Sequence, residues 1–232
     1  MRESLTRGLT QLGLSPDAVP QLEAYAAALL EKNRVMNLTA ITAPQDVATL
    51  HLLDCAALLT MADLRGKRVI DVGTGAGFPG MVLRILEPDF DLTLLDSLGK
   101  RIDFLKEVCS QLGLARVDCV HARAEEYAAG HRQQYDIAAS RAVANLNVLC
   151  ELALPLVKVG GQFAAMKSVS TDEEIRQAHS AIAQLGGQLS GVTDYTVPET
   201  DVVHRIVSIE KTQHTPKQFP RAFARIKKAP LV

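Results

Sequence analysis

Apolar positions in the first sixty residues recur at helical spacing. Leu5, Leu9 and Leu12 share one face of a segment over 2–12, which Gly13 ends. Ser15-Pro16-Asp17 then provides a cap and a first-turn proline for a helix to about Val35, with Val19, Leu22, Leu29 and Leu30 facing inward. A loop over Asn37-Leu38-Thr39-Ala40-Ile41 follows, and Pro44 restarts a helix carrying Val47, Leu50, His51, Leu53, Asp54 and Leu58. These patterns predict an N-terminal helical cap. From Arg68 the period changes. Strand-length runs at 68–72, 91–96, 117–121, 135–140 and 161–167 alternate with helical patterns at 79–87, 99–112, 145–157 and 171–186; 122–134 is a weak helix. Such alternation builds a parallel sheet with right-handed crossovers and helices on both faces. The last two runs, 189–197 and 203–210, are joined by Pro198-Glu199-Thr200-Asp201, a link short enough to make a hairpin. The expected fold is α/β: a seven-stranded, mostly parallel sheet with a C-terminal antiparallel hairpin. The expected division is a cap over 1–64, a core over 65–211 and a basic extension over 212–232.

A chain of 232 residues with 22% charged positions is ordinary for a folded α/β protein, and no apolar run reaches membrane-spanning length. Met1-Arg2-Glu3-Ser4-Leu5 lacks a signal-peptide core, so the expected compartment is the cytoplasm. The net charge of −1 argues against a uniformly basic nucleic-acid binder. Its distribution changes that picture: from Arg205 onward seven Lys/Arg face one acid, leaving 18 basic and 25 acidic residues upstream. A basic end on an acidic body points to a polyanionic partner held at one edge. Cys55, Cys109, Cys119 and Cys150 stand singly, with neither zinc nor disulfide spacing, and no metal is expected. His51-x-x-Asp54 is the one tight His/acid pair, and its spacing fits a local hydrogen bond better than a metal site.

The candidate chemistry centres on Val69-Ile70-Asp71-Val72-Gly73-Thr74-Gly75-Ala76-Gly77-Phe78-Pro79-Gly80. Glycines at 73, 75 and 77 permit a tight strand-to-helix turn and let a ligand approach backbone amides. Gly75, Gly77 and Gly80 match the dinucleotide fingerprint, but Phe78-Pro79 stand where a phosphate would need open amides. The frame Asp71-x-Gly73-x-Gly75-x-Gly77 instead resembles motif I of class I S-adenosylmethionine (SAM) methyltransferases, a Rossmann-like fold. Asp96, closing the second strand, can accept both ribose hydroxyls of a bound nucleoside. In an open parallel sheet ligands gather at the carboxyl ends of the strands. That rule selects Gly73 to Phe78, then Asp96, Ser97, Lys100 and Arg101, then Arg123, Ala124 and Glu125, then Ser140 and Arg141, then Lys167. Five basic residues on one rim favour an anionic substrate. No Asn/Asp-Pro-Pro-aromatic segment follows the fourth strand, and no loop cysteine follows a proline. An acceptor with its own lone pair, such as guanine N7, would need neither.

The sequence as a whole resembles the RsmG (GidB) family, bacterial methyltransferases of N7 of one guanosine in 16S ribosomal RNA. The likeness rests on Lys32-Asn33-Arg34, Asn37-Leu38-Thr39 with Ile41, His51-x-x-Asp54 and the stretch from Asp71 to Gly80. Further on it rests on Asp96-Ser97-x-x-Lys100-Arg101, Arg123-Ala124-Glu125, Ser140-Arg141-Ala142, Pro155-Leu156 with Gly160-Gly161, Pro220-Arg221 and Lys228-x-Pro230-Leu231. Cys55, where a serine is usual, and Ser168, where a glycine usually follows Lys167, depart from the pattern. The resemblance implies SAM as cofactor, with contacts at Gly73, Phe78, Asp96, Ala124, Glu125 and Arg141 beside the turn glycines Gly75 and Gly77. It places Phe78 against the cofactor, Asp96 on the ribose and Ala124-Glu125 beside the adenine, with Arg141 at the amino acid end or the target base. Candidates for positioning the base are Asn37, Arg123, Arg141 and Lys167. Candidates for holding RNA are Lys100, Arg101, Arg123, Lys167, Arg205, Arg221, Arg225, Lys227 and Lys228. The implied partner is 16S rRNA or the small ribosomal subunit, with no DNA or membrane, and the protein is expected to be a monomer. The roles of His51 and Asp54 stay open, and the rival readings are a SAM methyltransferase of a small molecule and a SAM-binding RNA module without activity.

Overall fold

A computed structural model describes residues 1–141 and 143–231; Ala142, from the Ser140-Arg141-Ala142 motif, and Val232 lie outside the described residues. One sheet contains β1 (Arg68–Val72), β2 (Asp91–Asp96), β3 (Val117–His121), β4 (Tyr135–Arg141), β5 (Val157–Ser168), β6 (Gly187–Thr196) and β7 (Val203–Lys211). Their order is β3-β2-β1-β4-β5-β7-β6. The first five pair in parallel, and β7 runs antiparallel to both β5 and β6. The link between β6 and β7 therefore lies at the carboxyl rim where β1, β2 and β4 end, and β7 starts there.

β5 begins at Val157 rather than 161, because Val157 already pairs with Tyr135 across a register shift. Correspondingly α8 (Leu146–Ala153) stops short of 157, since Pro155 has no amide to donate to the helix ladder. The cap consists of α1 (Arg2–Gln11), α2 (Val19–Met36) and a composite helical segment. That segment joins α3 (Pro44–Val47), a π-helical turn over Ala48–Leu53, α4 (Asp54–Ala56) and a final 3-10 turn to Thr60. The wider π turn carries His51 and leads directly into Asp54.

Successive residues of β1 face opposite ways, and both faces are covered. On one face Val69, Leu92 and Leu94 share a core with Leu5, Leu22, Tyr25, Leu29 and Leu52 of the cap. The helices α5 (Gly80–Leu86) and α6 (Gly99–Gln111) complete that layer. On the other face Ile70, Val72 and Phe163 pack with Leu149 and Leu152 of α8, Ile182 of α9 (Asp172–Gln184) and Ile226 of α10 (Phe223–Lys228). A short α7 (Ala124–Tyr127) follows β3.

Polar anchors tie the C-terminal segment to this second face. Lys211 is fully buried, and its ammonium donates to Leu154 O (2.8 Å), Leu185 O (2.9 Å) and Thr215 Oγ1. Burial lowers its pKa to about 7, while three acceptors around three N–H donors are the arrangement that suits the charged form. Glu151, also fully buried, accepts Arg221 Nε (2.8 Å), Nη2 (2.6 Å) and its backbone N–H (2.9 Å).

Candidate functional site

The glycine turn is fastened from two sides. The backbone N–H groups of Gly73 and Thr74 donate to Leu95 O (2.8 and 3.1 Å), which ties the turn to β2. Buried Asp71 accepts the Thr74 hydroxyl (2.7 Å) and the Gly80 N–H (2.8 Å) on Oδ2, closing the loop against the start of α5. Its Oδ1 has no hydrogen-bond partner among the described residues, and burial pushes the carboxyl up to about 6. At Gly77 (φ +109°) a Cβ would stand 2.6 Å from Met81 and 2.7 Å from the Tyr25 hydroxyl. Gly75 (φ +60°) is different: its Cβ would meet nothing nearer than Gly73 O at 3.9 Å. One glycine lets the turn pack, and the other leaves its ligand side open.

Beside this turn a cavity of about 950 Å³ runs along the carboxyl rim from β2 to β7. At the β2 end Asp96 is 4% exposed; its Oδ2 accepts the Gly75 N–H (2.9 Å) and its Oδ1 the Leu98 N–H (2.8 Å). Arg101 reaches Oδ2 only at 3.4 Å. A carboxylate offers about four acceptor sites, so two remain for a pair of vicinal hydroxyls once that long contact yields. With the open space at Gly75 and Gly73, Gly75 and Asp96 all on the cavity wall, these residues fit SAM: a ribose at Asp96 and an amino acid end over the turn.

At the far end a polar network joins the cap to the hairpin. Arg141 Nη1 donates to Asp54 Oδ2 (2.9 Å) and Leu50 O (3.0 Å), Nη2 donates to His51 Nδ1 (2.9 Å), and the guanidinium lies 4.7 Å from the Phe78 ring centre. His51 stacks on Phe78 at 4.5 Å. Because its Nδ1 accepts, its Nε2 carries the proton and donates to Thr39 Oγ1 (2.7 Å). Burial and the Arg141 charge lower its pKa to about 4, so the ring is neutral near pH 7. Asp54 Oδ1 accepts the Tyr195 hydroxyl and His204 Nδ1–H, each at 2.7 Å. Burial alone would raise the Asp54 carboxyl, but the His204 bond, the Arg141 charge and the Tyr195 bond together hold it below its usual range.

The rim gathers Gly73, Gly75, Phe78, Asp96, Arg101, Arg141 and Lys167 on the cavity wall. Phe78 is 6% exposed, covered by His51 and Arg141, so its ring supports the guanidinium more than it offers a face to a ligand. Gly77 shapes the turn from behind. Ala124 and Glu125 open α7 at the β3 end, one strand beyond Asp96 and off the wall. Asn37 ends α2 in the left-handed region (φ 39°) and begins the loop whose Leu38, Thr39 and Ile41 cover the cavity. Lys100 lies in the first turn of α6, and Arg123 stacks at 5.8 Å on Phe223 of the tail. Besides Arg141 and the long contact of Arg101, three more of the nominated cations are already engaged. Lys167 binds Glu174 (2.5 Å) and Ala144 O (2.6 Å), Arg205 binds Asp194 (2.6 Å) and Asp172 (2.5 Å), and Arg221 binds Glu151. Arg225, Lys227 and Lys228 are exposed on α10 with no ion-pair partner among the described residues. Sequence reasoning missed Tyr195 and His204, which sit in no local motif and reach the site because the hairpin between β6 and β7 turns at the carboxyl rim.

A family model described as GidB, rRNA small subunit methyltransferase G, matches residues 18–203. A ribosomal RNA small subunit methyltransferase G from Alkaliphilus metalliredigens is 47% identical over 222 residues, 94% of this chain and 93% of that protein. One from Clostridium botulinum is 45% identical over 214 residues, 91% of this chain and 90% of the relative. Among solved structures, TrmN from Thermus thermophilus aligns with a TM-score of 0.53 at 23% identity, over 68% of this chain and 48% of that one. TYW2 of M. jannaschii in complex with AdoMet aligns at 0.52 and 12% identity, over 63% and 68%. At such identities the structures share the fold, that of class I SAM methyltransferases.

Proposed function

Since the chain belongs to the GidB family of small-subunit rRNA methyltransferase G, we propose that it transfers the methyl group of SAM to N7 of one guanosine in 16S rRNA. The observation that carries this reading is a rim cavity with two unlike ends: a carboxylate with spare acceptor sites at β2, and a network rich in N–H donors where β4, β5 and β7 meet. SAM supplies a methyl group on a sulfonium, open to in-line attack by a lone pair. The residues of the chain bind and orient. Asp96 takes the ribose hydroxyls, Gly73 and Gly75 let the amino acid end approach the backbone, and Ala124-Glu125 flank the adenine. Phe78 and Asp54 hold Arg141 at the boundary between cofactor and acceptor. Guanine N7 carries an in-plane lone pair and no proton, so the site needs alignment and exclusion of water rather than a base. Consistent with that, Asp54 already accepts three hydrogen bonds, and Glu174 is paired with Lys167.

For the RNA, Lys100, Arg101, Arg123, Arg225, Lys227 and Lys228 are the cations placed to meet phosphates. Lys167, Arg205 and Arg221 hold the fold, while Asn37 sets the loop over the base pocket. The partner is 16S rRNA free or within the small subunit, met by a monomer in the cytoplasm; no helix among the described residues is long and apolar enough to cross a membrane. The test is transfer of radiolabelled methyl from SAM to small-subunit RNA, to small subunits from cells lacking the enzyme, and to a small-molecule extract. Label in RNA or subunits supports the reading, and label confined to the extract overturns it.

A further inference from the structure

One polar pair at the acceptor end takes no part in holding SAM. His204, near the start of β7, lines that end of the cavity, with Nδ1 2.7 Å from Asp54 Oδ1. Asp54 is 1% exposed, and the same carboxylate receives Arg141 and Tyr195. A carboxylate that accepts at Nδ1 fixes the orientation of an imidazole and keeps a proton on that nitrogen. No described residue takes Nε2, and the His204 side chain retains 30% of its surface. Because β7 is antiparallel to β5, with Ser168 opposite His204, the ring lies at the carboxyl rim. It stands across β1, β4 and β5 from Asp96. Its free nitrogen therefore belongs to the acceptor half of the cavity.

We propose that His204, held by Asp54, donates from Nε2 to O6 of the target guanine and so distinguishes guanine from adenine while N7 takes the methyl group. The inference rests on the reading of guanine N7 as the acceptor. On that edge guanine offers two acceptors, N7 and O6, whereas adenine carries an amino donor in the place of O6. Once N7 is committed to the methyl group, O6 is the atom that reports the base. An imidazolium has two donors and no acceptor, so adenine would set N–H against N–H, an unpaired contact in a half-buried site.

The role requires the charged ring. The groups facing it are Asp54 from α4, Tyr195 from β6 with its ring edge-on at 6.3 Å, and Arg141 from β4. The Asp54 hydrogen bond raises the His204 pKa above 6.5, against burial and the Arg141 charge. The donor is present below that raised value and lost as pH climbs through it. A general base at the same nitrogen would need the neutral ring and would give the opposite slope.

Single-turnover methyl transfer tests this on an RNA carrying guanosine or 2-aminopurine, which lacks O6, at the target position. Parent, His204→Leu and His204→Arg would be compared from about pH 6 to 9. The parent rate should fall as pH rises through a pKa above 6.5. His204→Leu should slow transfer to guanosine by about ten- to a hundredfold, the range for a hydrogen bond to a charged group, and cost nothing further on 2-aminopurine. His204→Arg should recover much of that loss and flatten the pH profile. Calorimetric SAM affinity should stay within about twofold of the parent, because the ring lies away from Asp96. Penalties that multiply on 2-aminopurine, a rate that rises with pH, or a parallel loss of SAM affinity would each overturn the role. A parent that places no methyl on guanine N7 would instead overturn the functional reading beneath it.

Discussion

Gly75 and Gly77 stand two residues apart and are glycine for different reasons. At Gly77 the missing side chain makes room for Met81 and the Tyr25 hydroxyl. Gly77→Ala should therefore lose about 2–4 kcal/mol in a denaturant melt, from overpacking added to a left-handed backbone. Gly75→Ala meets open space, so it should cost only about 1–2 kcal/mol while weakening SAM by about tenfold or more in calorimetry. Asp96→Ala removes the ribose acceptor and should weaken SAM by at least about tenfold. His51 gives a pH signature. Its folded pKa of about 4 lies below the unfolded 6.5, so the neutral ring is favoured by folding. That contribution is intact above pH 6.5, and about 3 kcal/mol is lost as pH falls toward 4. Asp71, raised to about 6, has the opposite slope: its contribution is lost as pH rises through 6. The comparison of parent with His51→Gln, by chemical denaturation at pH 7 and pH 5, isolates the histidine; equal losses would contradict it. The glycine turn and Asp96 were legible because strand, turn and acid follow one another in the chain. His204 was not, since its partner Asp54 is 150 residues away.

Among the elements, the C-terminal segment departs furthest from a reading by charge alone. Seven basic residues from Arg205 onward suggest a free polycation, yet Arg205, Lys211 and Arg221 are structural ties. Glu151 reads in the sequence as an ordinary helical acid, and only the packing of α8 beneath the tail makes it a buried partner. Arg221→Ala should thus leave a buried carboxylate unpaired and lose about 3–5 kcal/mol of stability in a denaturant melt. Replacing Arg225, Lys227 and Lys228 together with Gln should leave stability within about 0.5 kcal/mol. It should also weaken RNA binding and reduce the salt slope by about 2, the share of three contacts to a single strand. An unchanged salt slope would remove α10 from the RNA surface. The composite helix over 44–60 was legible as a helix, but its π turn was not, because apolar spacing does not register one extra residue per turn.

For the whole molecule, the sheet was readable because parallel strands covered on both faces appear as short apolar runs between amphipathic helices. The hairpin was readable from the four-residue link at Pro198 to Asp201. What that pattern could not convey is that the cap shares a core with β1 and β2, or that the hairpin returns to the rim and closes the acceptor end through Asp54. Cap, sheet and hairpin thus make one pocket with a nucleoside end and a base end. Transfer to guanine N7 is measured most directly by chain cleavage at 7-methylguanosine, by borohydride and aniline, in small-subunit RNA incubated with the protein and SAM. Cleavage is expected at one guanosine, dependent on SAM and lost in Asp96→Ala. Methyl incorporation into the RNA without cleavage, or no incorporation into RNA at all, would contradict it.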